Sequence, residues 1–182
     1  MNNKLINTIV ESRLNQVLIN ELDSYLINDV KEAYNLQEIV NKRLSSSGLG
    51  DIIGYKIGCT NESIQKELGV NNPIFGPIFN NRIIENNKKI SIKDFIKVGV
   101  ECEIYVKISK EINENTNYNI NNIKNFIGNY GVSLELVENR FLNIKKNKIE
   151  HIIIDGSLGN SIILGKEISN HSSNFSKFIG RL

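Results

Sequence analysis

From Val98 to Ile108 the apolar residues Val98, Val100, Cys102, Ile104, Val106 and Ile108 alternate without a break with Gly99, Glu101, Glu103, Tyr105 and Lys107. A period of two sustained over this length belongs to a β-strand with one greasy and one polar face, and no helix can reproduce it. The chain must therefore supply partner strands, and short apolar segments at Asp51–Gly58, Gly131–Val137, His151–Ile154 and Ser161–Leu164 are the candidates. Ahead of them the pattern changes period. Ile6, Ile9, Val10, Leu14, Val17, Leu18 and Tyr25 recur at helical spacing over Lys4–Tyr25, and Val30, Ala33, Tyr34, Gln37 and Val40 share one side of a second helix over Asn28–Leu44. Ser45-Ser46-Ser47-Gly48 reads as the loop that ends it. Helices first and strands afterwards predict an α+β fold, with a helical region at 1–48 and a β-rich domain at 49–182 whose strands form a folded-over sheet or barrel.

Smaller signals fill the interval between strands. Thr60 is placed to N-cap a helix over Asn61–Leu68 that Gly69 stops, and the two prolines of Asn71–Pro77 predict an apolar loop. The 29 Asn and 31 Ile beside a single Ala make asparagine a poor turn signal in this chain, so the Asn-rich run from Asn113 to Asn129 is discounted as low complexity. Within that run Ile120, Ile123, Phe126 and Ile127 keep helical spacing.

Composition excludes several functions. A length of 182 residues suits one domain or a domain with a small appendage, and a net charge of +2 gives no general attraction to nucleic acid. No stretch approaches the roughly 18 apolar residues of a membrane helix, and the first residues lack the continuous apolar core of a signal peptide. Two cysteines make no disulfide scaffold and share no zinc spacing with His151 or His171, so both are read as small buried apolar residues in a reduced, cytoplasmic protein. Gly54-x-x-x-Gly58 matches neither phosphate-binding fingerprint.

The polar side of the alternating strand carries the most chemistry. Glu101 and Glu103 lie two apart, so both carboxylates leave the same face with Cα atoms about 7 Å apart. An isolated Glu-x-Glu is most often a solvated strand face; as a functional pair it would relieve its repulsion on a hard divalent cation such as Mg²⁺ or Mn²⁺. Glu135 is turned to the polar side of its own strand by Val132, Leu134 and Leu136, and a third carboxylate would leave a cation able to chelate a 2-oxo acid. Lys56, in the glycine-flanked Gly54-Tyr55-Lys56-Ile57-Gly58, either snorkels to water or is held as a proton carrier or carboxylate anchor. Asp155, after three isoleucines, is either a turn former or a buried hydrogen-bonding carboxylate.

Taken together, these stretches resemble the 2-keto-4-pentenoate hydratase branch of the fumarylacetoacetate hydrolase superfamily. The matching segments are Ala33–Gln37, Gly54-Tyr55-Lys56-Ile57-Gly58-Cys59-Thr60, Ile64–Val70, Pro73-Ile74-Phe75-Gly76, Val100–Ile104, Leu134–Arg140 and Asp155-Gly156-Ser157, in order over roughly residues 30 to 165. The resemblance implies a mixed β-roll or barrel and a Mg²⁺- or Mn²⁺-dependent hydro-lyase that hydrates a 2-hydroxypenta-2,4-dienoate-like acid, in a cytoplasmic homo-oligomer. It implies that Glu101, Glu103 and Glu135 hold the metal, that Lys56 is catalytic, either beside the substrate carboxylate or relaying a proton, and that Asp155 contacts substrate. Ile74 and Gly156 depart from the family pattern. Relatives continue beyond the strand matching Ser161–Gly165, so the barrel is expected to be incomplete at the C-terminus, where Lys166–Leu182 is polar and unmatched. A 4-oxalocrotonate decarboxylase, an inactive truncated remnant and a metal-independent binding protein are the alternatives.

Overall fold

A computed structural model describes residues 2–20, 22 and 25–169. Helix α1 spans Asn2–Asn15, shorter than the sequence pattern predicts, because Gln16 adopts a left-handed φ of 57° that ends the helix. Beyond it Ile19 forms a parallel bridge with Phe141, so Ile19 enters the core without being helical. Helix α2, Val30–Leu44, is capped by Asp29, whose carboxylate accepts from Glu32 N at 2.7 Å. A five-residue π turn, Ser45–Leu49, then delivers the chain to β1, Ile52–Gly58.

Helix α3, Glu62–Leu68, is capped by Asn61 rather than Thr60, and Gly69 stops it with φ 70°. The proline-bearing segment expected to be a loop is strand β2, Ile74–Phe79, antiparallel to β1. Pro77 is tolerated because this is a two-stranded ladder with free outer edges. A second, five-stranded sheet holds β3 (Ile83–Ile84), β4 (Val98–Ile108), β5 (Ile127–Glu138), β6 (Gly159–Leu164) and β7 (Ile168–Ser169). Its order is β3-β6-β5-β4, parallel only between β3 and β6, with β7 beside the start of β5; among the described residues it stays open. The Asn-rich run contributes one turn of helix, α4 (Ile120–Ile123), and a 3₁₀ turn, Lys124–Phe126, before β5 begins. The tail from Asn170, including His171, lies outside the described residues.

His151–Ile154, read from sequence as a strand, is the end of helix α5, Ile149–Ile154. A run of branched apolar residues is ambiguous between a buried strand and a helix buried on all sides, and here Ile152, Ile153 and Ile154 are all buried between α2 and β2. They join Leu5, Ile9, Ala33, Val40, Leu44, Ile74 and Phe79 in one apolar cluster. Each such side chain contributes about 1.5–3 kcal/mol by leaving water.

The alternation in β4 is as the sequence requires, but its apolar face is not the enclosed one, while on the polar face Glu101 and Lys107 stay exposed and Glu103 and Tyr105 are half-buried. Val100, Ile104 and Val106 are 42–47 % exposed and Cys102 is exposed, whereas Glu103 is half-buried and Glu135 across the ladder is 4 % exposed. Cys102 is therefore not a core residue, and Cys59 is only half-buried.

Candidate metal centre

The register between β4 and β5 assembles the site. Glu101 faces Glu135 directly, Glu103 faces Ser133, and Tyr105 faces Gly131, so these side chains share one side of the sheet. The Tyr105 ring lies where a Cβ at position 131 would sit, and its hydroxyl donates to the Gly165 carbonyl at 3.1 Å, so the Tyr105–Gly131 pair requires glycine. One carboxylate oxygen from each of Glu101, Glu103 and Glu135 lies within 4.8 Å of the others.

The two-stranded ladder brings in the cation. Gly76 of β2 passes so close to the Gly156 carbonyl that any side chain there would collide with it, which seats the hairpin on the turn between α5 and β6. Lys56, on the neighbouring strand, then reaches Glu135, with Nζ 3.3 Å from Oε1 and side chains only 10 % and 6 % exposed. Lys56 thus does not snorkel. A narrow cleft beside this pair is further lined by Arg82, Gly159, Asn160 and Ser161.

Electrostatics follow from burial. Desolvation pushes the Glu135 carboxyl above its ordinary range, the Glu101 and Glu103 charges push the same way, and Lys56 opposes them. Glu103 is also raised, by desolvation and then by Glu101, with Lys56 again opposing. Three converging carboxylates and one ammonium leave an excess of negative charge that a hard dication would offset, and an all-oxygen donor set suits Mg²⁺ or Mn²⁺. The buried Ser133 hydroxyl, on the same side of the sheet, has no hydrogen-bond partner among the described residues. The residues present fit a divalent cation.

Asp155 lies elsewhere. It is wholly buried behind the turn, its Oδ2 accepting from Arg140 Nη1 at 2.9 Å and its carbonyl accepting from Arg13 Nη1. Arg140 also pairs with Glu138 at 3.0 Å, and Glu138 accepts from Ile96 N and Asn160 Nδ2. Two guanidinium and two carboxylate groups balance in this interior network. Burial lowers Arg13 to about 9, with Arg140 adding to the shift, and burial raises Asp155 against the pull of Arg140 and Arg13. The sequence reading assigned nothing to Arg13, Arg140 or Ser133. Ser133 was within its reach, since it stands two residues before Glu135 on the same strand face; Arg13 could not be placed from a helical pattern alone.

No protein-family profile matches the chain. The chain is similar to curated hydratases: it is 25% identical over 147 residues to 2-keto-4-pentenoate hydratase 1 of Dechloromonas aromatica, covering 80% of this chain and 55% of that one. It is 31% identical over 84 residues to the TodF product hydratase of Pseudomonas putida, covering 46% of this chain and 31% of the relative. Its fold is that of 4-oxalocrotonate decarboxylase from Pseudomonas putida G7, a structure complexed with magnesium and adipate, with a TM-score of 0.83, 19% identity, and coverage of 93% of this chain and 65% of the other. The resemblance to the 2-keto-4-pentenoate hydratase branch of the fumarylacetoacetate hydrolase superfamily therefore holds in sequence and in fold. The chain spans about half or less of the length of these curated relatives.

Proposed function

We propose that this chain carries the site of a divalent-cation-dependent hydratase, which adds water to a 2-hydroxypenta-2,4-dienoate-like acid to give a 4-hydroxy-2-oxo acid. The observation that carries the reading is the convergence of Glu101, Glu103 and Glu135 within 4.8 Å, beside Lys56 at 3.3 Å from Glu135. Glu101, Glu103 and Glu135 would hold Mg²⁺ or Mn²⁺. A cation there supplies Lewis acidity toward the 1-carboxylate and 2-oxygen of a chelating substrate.

The chain's own groups do the rest. Lys56 Nζ, pressed against Glu135 and largely out of water, holds a proton where the substrate's reacting end enters. In the overall change protons go to the terminal carbon of the diene and to C3, hydroxide goes to C4, and the 2-hydroxyl gives up its proton to become the 2-oxo group, so that one water is consumed. Asp155 serves the substrate side by position: it fixes Arg140, and Arg140 in turn donates from Nη2 to the Gly159 carbonyl at 3.1 Å, holding the turn against Lys56 and Glu135. No helix among the described residues is long and apolar enough to cross a membrane; a cytoplasmic homo-oligomer acting on a small acid completes the reading.

The test is direct. Addition of protein and Mg²⁺ to the dienol should abolish its ultraviolet absorbance, and Glu103→Ala should not do so; a folded, metal-loaded protein without turnover would contradict the hydratase. Decarboxylation of 4-oxalocrotonate is the second reading, favoured by the shared fold with the decarboxylase, and carbon dioxide release would select it.

A further inference from the structure

The candidate metal centre leaves one buried polar group with no assigned task. Ser133 is 5 % exposed and its Oγ has no hydrogen-bond partner among the described residues. A hydroxyl buried in that state destabilises the fold that holds it. The ladder sets its surroundings: Glu103 stands opposite on β4, Leu164 opposite on β6, and Glu135 and Gly131 two residues away along its own strand. Of these neighbours only the two glutamates are polar. The nearest other hydroxyl on that face, Tyr105 Oη, is committed to the Gly165 carbonyl.

The orphan hydroxyl thus belongs to a residue on the carboxylates' side of the sheet and bonds to none of them. Those oxygens stand up to 4.8 Å apart, whereas adjacent ligands of a hard cation such as Mg²⁺, bound at about 2.1 Å, lie about 3 Å from one another. A cation drawing them together would carry a further oxygen on the sheet face that Ser133 shares.

We propose that Ser133 is a positioning residue of this site, whose hydroxyl donates a hydrogen bond to an oxygen bound on the cation, either water or the substrate's 2-oxygen. The inference rests on the reading of Glu101, Glu103 and Glu135 as metal ligands. It assigns the serine a partner present only when the cation is bound, so the same substitution has effects of opposite sign in the two states. Removing the hydroxyl relieves the metal-free protein and weakens the metal-bound one.

The experiment uses Mn²⁺ alone, with free Mn²⁺ read by electron paramagnetic resonance and the metal-free unfolding midpoint read by circular dichroism. Ser133→Ala should bind Mn²⁺ about tenfold more weakly while its metal-free midpoint rises or holds. Ser133→Thr, which keeps a hydroxyl and suits a strand, should restore most of the affinity. Water-proton relaxation on bound Mn²⁺ separates the two acceptors: a change in Ser133→Ala without substrate selects water, and a change only with substrate present selects the 2-oxygen. Wild-type affinity in folded Ser133→Ala overturns the inference and leaves the metal centre standing. A lowered metal-free midpoint in that variant overturns it as well, because the hydroxyl then serves the fold. Should Ser133→Ala fail to fold, Ser133→Thr and Ser133→Cys carry the comparison, and equal affinity in those two is the contradicting result. Folded wild-type protein that binds no Mn²⁺ overturns this inference and the metal reading together.

Discussion

Glu101 on β4 stands directly across the ladder from Glu135 on β5. Like charges in that relation destabilise a sheet by up to about 1 kcal/mol, and here a third carboxylate, Glu103, shares the same face. Among the described residues, Lys56 is the cation that pairs with the cluster. Glu101→Gln removes one of the opposed charges without changing shape. Its metal-free form should be as stable as wild type or more so, and the thermal shift given by Mg²⁺ in wild type should be lost. Melting curves with chelator and with Mg²⁺ check both parts.

Stability should depend on pH in opposite ways with and without metal. Glu103 and Glu135 have native values raised above the ordinary 4.5. The folded state therefore holds its protons more tightly than the unfolded chain, and the associated stability is fully present below pH 4.5 and lost as pH climbs through the raised native values. Asp155 is raised as well and adds in the same direction. Bound cation requires deprotonated ligands, so in saturating Mg²⁺ stability rises over the same window. Urea titrations across pH 4.5 to neutrality, with chelator and with Mg²⁺, should diverge; parallel curves would refute the assignment.

Arg140 is the keystone of the interior charge network. With 1 % exposure it holds both Glu138 and Asp155. Arg140→Ala leaves those carboxylates buried without their partner, which costs about 3–5 kcal/mol. Asp155→Asn keeps a hydrogen-bond acceptor for Arg140 and should cost less. Chemical denaturation of the two variants gives the order directly.

Lys56→Met separates binding from chemistry. It preserves the length and apolar stem of the side chain but removes the proton held against Glu135. Cation affinity should persist, whereas turnover should fall by about 10²- to 10⁴-fold. Paired measurement of Mn²⁺ affinity and rate tests the split, and equal losses in both would make Lys56 a structural partner of Glu135 alone.

The convergence of the three candidate ligands is legible because period-two alternation fixes a side chain's face, and both Glu-x-Glu and Glu135 sit in unbroken alternation. Which face is enclosed was not legible. That depends on the β1–β2 hairpin crossing at Gly76, a long-range contact that leaves no local pattern. The isoleucines of α5 failed for a related reason: a short apolar run has no period, and only its burial between α2 and β2 decides for helix. Apolar spacing overstates helix α1 because it continues past Gln16, where a left-handed backbone ends the helix and Ile19 pairs with Phe141.

Calorimetric titration of the folded chain with Mn²⁺ tests the central claim most directly. Wild-type protein should bind one cation per chain, and Glu103→Gln and Glu135→Gln, each shown to be folded, should lose that binding. Absence of binding in the wild type, or undiminished binding in both variants, would contradict the assignment of Glu101, Glu103 and Glu135 as a metal centre.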